Sequence, residues 1–196
     1  MEQTTDGRAA LVIIDLQNGF FEDPVLARER PRIVEATNSL AERARAAGAP
    51  VFTVVTEHAR DRCTWTLNMR DDDQGFNFEG STQASLLADL HLPGSQRIAK
   101  LRDSAFLGTD LAQRLRLAGA GRVLLAGVSA QSCVAQTGAD AFAHDFRVAY
   151  ATDAIGSPKP QLGSRILNFI CEEYRQDCVA GAAAEQWLRP AVGARG

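Results

Sequence analysis

Short apolar runs closed by a small or polar residue alternate along this chain with segments of helical period. Val123 to Ala126 (VLLA) is continuously apolar, and Ala10 to Leu16 (ALVIIDL, with Asp15 near its end) and Val51 to Thr56 (VFTVVT) are apolar and β-branched, the pattern of strands buried on both faces of a parallel sheet. Gln96 to Lys100 (QRIAK), Arg147 to Ala151 and Asp177 to Ala180 read as shorter strands. Between them the period changes. Pro31 opens a helix through Ala47, with Ile33, Val34, Ala36, Leu40 and Ala44 on one side and Gly48 as the stop. Leu111 to Ala118 is a second helix, capped by Thr109 and Asp110 and followed by Gly119. A third begins at Ser132, with Ser129 or Ser132 as cap and Val134, Ala135, Ala139 and Phe142 as its apolar positions. Gln161 to Tyr174 is the next, and Ala183 to Leu188 is a final helical turn. Strand and helix in alternation predict an α/β fold with right-handed crossovers.

Two connections are too long to be plain turns. Gln17 to Arg30 is read as a loop carrying Phe20 and Phe21. Glu57 to Gly80 (EHARDRCTWTLNMRDDDQGFNFEG) is polar and aromatic without period, as expected of a lid or pocket loop, with His58, Trp65, Phe76 and Phe78 the residues of interest. Asp71, Asp72 and Asp73 read as a solvated run, because no regular oxygen-ligand pattern surrounds them.

Composition narrows the class. A chain of 196 residues with 45% hydrophobic content suits a single domain, drawn here over 1–196. A net charge of −3 without a basic run implies neither nucleic acid nor an anionic membrane as partner, which leaves a protein or a small molecule, and a small-molecule substrate is expected. The start, MEQTTDGRAA, has no apolar signal core, so a cytoplasmic protein is expected. Cys63, Cys133, Cys171 and Cys178 show no C-x-x-C pair and read as free thiols. With only His58, His91 and His144 available, none at ligand spacing with another, no metal site is expected.

Chemistry is concentrated at strand ends. Asp15, Lys100 and Cys133 come at or just beyond the ends of three different predicted strands, and in open parallel sheets ligands bind in the crevice at those ends. Cys133 also sits in the first turn of a helix, where unpaired N–H groups and the dipole favour thiolate. A base, a cation and a thiol in one crevice make a nucleophilic site.

Four segments carry a family resemblance: ALVIIDLQNGF, KLRDSAFLGTDL, GVSAQSCV and TGADAFAHDFRVAYATDA. In this order and spacing they resemble the isochorismatase-like cysteine hydrolases, the superfamily of nicotinamidases, N-carbamoylsarcosine amidase, ureidoacrylate hydrolases and isochorismatases. The resemblance implies a three-layer, doubly wound, mostly parallel sheet of six strands with helices on both faces. It implies a triad of Asp15, Lys100 and Cys133, an oxyanion hole from the backbone N–H groups of Ser129 and Cys133, and a cis peptide between Val128 and Ser129. Phe20, Trp65, Phe106 and Gln131 are the substrate-binding candidates. The activity implied is cleavage of a C–N bond in a small amide or carbamoyl or ureido compound through a thioester, without a cofactor, in a dimer or tetramer.

Departures from the family pattern limit what transfers. Ala130-Gln131-Ser132 stands where many relatives carry Thr followed by Asn or His, so the pocket floor differs. Metal-binding nicotinamidases carry Asp-x-His and a further His after the second strand, whereas this loop offers His58 alone. True isochorismatases act on a vinyl ether and lack the cysteine that is present here. A serine hydrolase reading of Gly127-Val-Ser129-Ala-Gln131 lacks the last glycine of its elbow. A dinucleotide enzyme would need G-x-G-x-x-G where Asp15-Leu-Gln-Asn-Gly19 stands. The non-enzyme alternative is a binding or redox-sensing protein that keeps the fold and a reactive thiol without turnover.

Overall fold

The computed structural model describes residues 7–189; the remaining ends of the expected 1–196 domain lie outside the described residues. Six strands, β1 (Arg8–Ile14), β2 (Val51–Thr56), β3 (Gln96–Lys100), β4 (Ala120–Gly127), β5 (Arg147–Ile155) and β6 (Asp177–Val179), form one sheet in the order β3-β2-β1-β4-β5-β6. Every pairing is parallel. The helices are α1 (Pro24–Ala46), α2 (Leu67–Asp71), α3 (Leu111–Leu117), α4 (Ala135–Ala143), α5 (Pro160–Glu173) and α6 (Gly181–Trp187).

Both faces of the sheet are covered, which is why its central strands are mostly apolar. On one face Val12, Ile14, Val123 and Leu125 pack with Leu111 and Leu115 of α3, Ala135 and Ala141 of α4, and Leu167 and Ile170 of α5. On the other, Leu11, Ile13 and Leu124 pack with Ile33, Leu40 and Ala44 of α1 and Ala184 of α6. Alternate residues of one strand thus feed opposite cores. Burial of this apolar surface on two faces is the main source of stability.

Element boundaries moved where turn chemistry had two readings. The expected loop from Gln17 to Arg30 is instead a short 3-10 turn, Asn18–Glu22, followed by the first two turns of α1. Asp23 is the true cap: its side chain accepts from the N–H groups of Val25 and Leu26 at 2.8 and 3.1 Å, with Pro24 at the first helical position. Pro31, read from the sequence as the opener, lies inside the helix. Strand β1 ends at Ile14 rather than Leu16 because Asp15 has φ +55°. Strand β5 runs to Ile155, past the Ala151 expected as its end. Gly127, at the end of β4, has φ +116°, and a Cβ there would stand 1.9 Å from the Ile14 carbonyl oxygen, so no other residue fits this approach of β4 to β1.

Two cysteines are not free. Cys171, near the end of α5, and Cys178, in β6, form a disulfide with Cα atoms 6.5 Å apart, which corrects the expectation of four free thiols. The turn between α5 and β6 brings the two within bridging range, a proximity that their spacing does not reveal. Cys63 and Cys133 are the free thiols, exposed and buried respectively. Among the described residues, no helix is long and apolar enough to cross a membrane.

Candidate active site

The strand order reverses direction between β1 and β4, and in such sheets the crevice opens at the carboxyl ends beside that switch. Asp15 follows β1 directly. Cys133 lies on a single wide helical turn, Ala130–Val134, that follows β4 and runs into α4. Its N–H bonds reach back unusually far, Val134 N to Ser129 O at 3.2 Å. The Val128–Ser129 peptide bond before this turn is cis. Lys100 ends β3, two strands out from β1, and its side chain spans the end of β2 to reach the centre.

That reach brings the three together. Lys100 Nζ lies 2.8 Å from Asp15 Oδ2 and 3.4 Å from Cys133 Sγ. It also donates to Thr56 Oγ1 at 2.7 Å and to the Arg102 carbonyl at 3.1 Å. Thr56 Oγ1 in turn donates to Asp15 Oδ1 at 2.9 Å. Asp15 and Lys100 are 0% and 1% exposed, so this ion pair is out of water and only its full set of partners makes it tolerable. Asp15 Oδ2 carries the ammonium contact, and a carboxylate oxygen has a further lone pair with which to accept a proton.

Electrostatics fix the resting protonation states. Burial pushes the Cys133 thiol up strongly, and the Asp15 carboxylate adds to this against the opposing Lys100 charge. The proton therefore stays on sulfur until a base takes it. Desolvation thus works against the thiolate that a helix start favours. For Lys100, burial works against the charge, but the Asp15 carboxylate and Cys133 outweigh it and hold the ammonium above the ordinary lysine value. Lys100 stays charged.

His58, 2% exposed, closes one side of the site. Burial lowers its pKa below the ordinary 6.5, with the Thr64 carbonyl opposing and the Arg102 and Lys100 charges assisting. Its Nδ1 is 3.1 Å from that Thr64 carbonyl. A His with a depressed folded-state pKa binds a proton more readily once unfolded, so stability falls as pH drops below about 6.5. A His58→Gln variant is expected to lose this slope between about pH 7 and pH 5 in denaturant titrations, with the wild type steeper.

The substrate-binding candidates divide. Phe20 meets Phe76 edge to face at 5.5 Å, and Phe76 lies 6.1 Å from His58, so the three rings form one aromatic cluster. Gln131 Oε1 accepts from Ser157 Oγ at 2.7 Å, tying the turn that carries Cys133 to the loop after β5. Trp65 anchors the long loop: its Nε1 donates to Ala59 O at 2.9 Å, and its ring lies 6.1 Å from Phe78 and beneath Arg62. Phe106 is spent on packing, 5.1 Å from His144 and 6.1 Å from Phe146, at the opposite end of α4 from Cys133.

Three site residues escaped the sequence reading. Thr56 looked like one more β-branched strand residue. Gln17, fully buried, donates to the carbonyls of Thr56 and Ala84 and accepts from the Thr56 N–H at 2.8 Å, so it fixes the strand end that carries Thr56. Asp103 places Oδ1 3.9 Å from Cys133 Sγ. No local signal marks it. Among the described residues no group of three His, Cys, Asp or Glu side chains gathers to hold a metal, so the donor set does not fit one.

Known proteins share this frame. A relative from Arabidopsis thaliana, named a probable inactive nicotinamidase, is 32% identical over 162 residues, covering 78% of this chain and 83% of its own. The solved isochorismatase family protein from Desulfovibrio vulgaris matches with a TM-score of 0.80 at 29% identity, over 93% of this chain and 98% of the other. N-carbamoylsarcosine amidase from Thermoplasma acidophilum shares the fold with a TM-score of 0.75 at 24% identity, over 88% and 96% of the two chains. The isochorismatase domain model matches residues 9–169, a span that holds Asp15, Lys100, Cys133 and all but the last elements of the sheet, and the chain belongs to the isochorismatase family.

Proposed function

We propose that this protein is a cysteine hydrolase that cleaves a C–N bond of a small amide or of a carbamoyl or ureido compound. The observation that carries this reading is the Lys100 ammonium in contact with both the Asp15 carboxylate and the Cys133 sulfur, at 2.8 and 3.4 Å, beside the switch point. Asp15 takes the thiol proton as sulfur attacks the carbonyl carbon, and Lys100 steadies the charge that passes between them. The carbonyl oxygen becomes an oxyanion, held by the backbone N–H groups of Ser129 and Cys133. Its collapse breaks the C–N bond, and Asp15 returns the proton to the leaving nitrogen. Water then gives up a proton to Asp15 and attacks the thioester, and the C–S bond breaks to release the acid and restore the thiol.

The test is a panel of small amides, carbamoyl and ureido compounds assayed for ammonia or amine release, with intact-mass detection of an acyl adduct. A hit is expected with an adduct confined to the peptide carrying Cys133. Absence of both release and adduct across the panel would count against turnover. In that case the second reading, a small-molecule binding or redox-sensing protein, moves ahead; the probable inactivity in the name of the Arabidopsis relative is the observation that favours it.

A further inference from the structure

The triad is charge-balanced without Asp103. Asp15 is answered by Lys100, and the resting thiol is neutral, yet a second carboxylate stands 3.9 Å from the sulfur. Asp103 is held there by Gln136 of α4, whose Nε2 donates to Oδ2 at 2.8 Å, so Oδ1 is the oxygen left facing Cys133. Among the described residues no Lys, Arg or His side chain pairs with it. Arg102 next door turns away, its Nη1 donating to the carbonyls of Thr64 and Leu101. Unlike Asp15, Asp103 is exposed, so it lies on the outer side of the nucleophile, where substrate must approach.

We propose that Asp103 is a specificity-determining residue of this site: its carboxylate favours a substrate that carries a cationic nitrogen close to the scissile carbonyl and disfavours one that carries an anion there. A carbonyl carbon poised for attack lies about 3 to 3.5 Å from the sulfur. Groups attached to that carbon therefore fall within a few ångströms of Oδ1. At such a distance, in a partly solvated site, a unit charge changes the encounter with Asp103 by several-fold in rate, with opposite signs for cation and anion. An acidic group beside a nucleophilic cysteine also makes the thiolate harder to form, and Asp103 acts in that direction on Cys133. A residue that works against the nucleophile and is nonetheless fixed by a hydrogen bond has its use in binding.

The proposal rests on Cys133 being the nucleophile, and its test does not need turnover. The full chain is treated with three methanethiosulfonates of similar size, a neutral butyl, a cationic trimethylammonioethyl and an anionic sulfonatoethyl reagent. Labelling rates of Cys133 and of exposed Cys63 are read by peptide mass spectrometry. In wild type the cation to anion ratio at Cys133 is expected to exceed that in Asp103→Asn by about tenfold, with the neutral reagent changed far less and the ratio at Cys63 unchanged. The excess should shrink as salt is raised from about 0.01 to 1 M, since the group is exposed. Asp103→Ser, which also removes the charge, should behave as Asp103→Asn does. Equal ratios in wild type and both variants, with Cys133 labelled normally, would overturn the role of Asp103 and leave the nucleophile intact. No labelling of wild-type Cys133 by any reagent while Cys63 reacts would overturn the nucleophile, and the selection with it.

Discussion

Replacing Cys133 with alanine is expected to reduce acyl transfer by about 10^3-fold or more while leaving the fold in place, because the substitution removes the attacking atom and little else. The measurement is the release of 4-nitrophenolate from 4-nitrophenyl acetate, together with any amide found to turn over, in a Cys63→Ser background that silences the exposed thiol. Cys133 is 5% exposed and packs in the core with Ala130 and Val134, so the lost sulfur leaves a small cavity worth about 1 kcal/mol. The separation of the two effects is the point. A variant that binds substrate with near-normal affinity but forms no acyl adduct assigns the chemistry to sulfur. A variant that retains more than a tenth of the rate would transfer the chemistry to another group, with Ser129 and Ser132 the nearest hydroxyls in sequence.

The second large effect falls on stability as much as on rate. Lys100→Met keeps all but the last atom of the side chain's length and removes its charge, which strands the Asp15 carboxylate in a site that is 0% exposed. Removing one partner of a buried ion pair costs about 3 to 5 kcal/mol, or a fall in Tm of about 10 °C for a chain of this size. The loss should be partly reversed on acidification, since a proton then neutralises the stranded carboxylate and the folded state takes up more protons than the unfolded one. Lys100→Met/Asp15→Asn should recover more than half of the loss, because neither charge then remains. Calorimetry of the single and double variants across about pH 5 to 8 reads both expectations. Additive effects in the double variant would mean that the 2.8 Å contact does not couple the two residues.

The parts of this site that were legible in the sequence are those marked by interruption. Asp15 interrupts an apolar run near its end, Lys100 closes a short strand, and Cys133 falls in the small-residue turn after a third, so strand reading alone puts all three at the carboxyl ends of the strands. Thr56 was hidden because a threonine ending VFTVVT is also what strand propensity favours. Only the sheet order, with β2 between β3 and β1, shows that its hydroxyl must be passed on the way from Lys100 to Asp15. Asp103 was hidden for another reason. It has no periodicity to break, and its meeting with Cys133 depends on how the segment after β3 folds back over α4. The start of α1 was misplaced because Pro24 and Pro31 both suit a first helical turn, and the capping oxygens of Asp23 decide between them only in three dimensions. The Cys171–Cys178 pair likewise depends on the turn that joins α5 to β6.

The position of Lys100 on an outermost strand has a consequence for how the site fails. Strand β3 pairs with β2 on one side only, and three of its five residues are exposed, so its amides should exchange with solvent through local openings that leave β1 and β4 closed. Each such opening withdraws the ammonium from Asp15 and Cys133 together. The proposed chemistry is thus tethered to an edge strand of the sheet rather than to its centre, and on warming the site is expected to come apart before the protein melts.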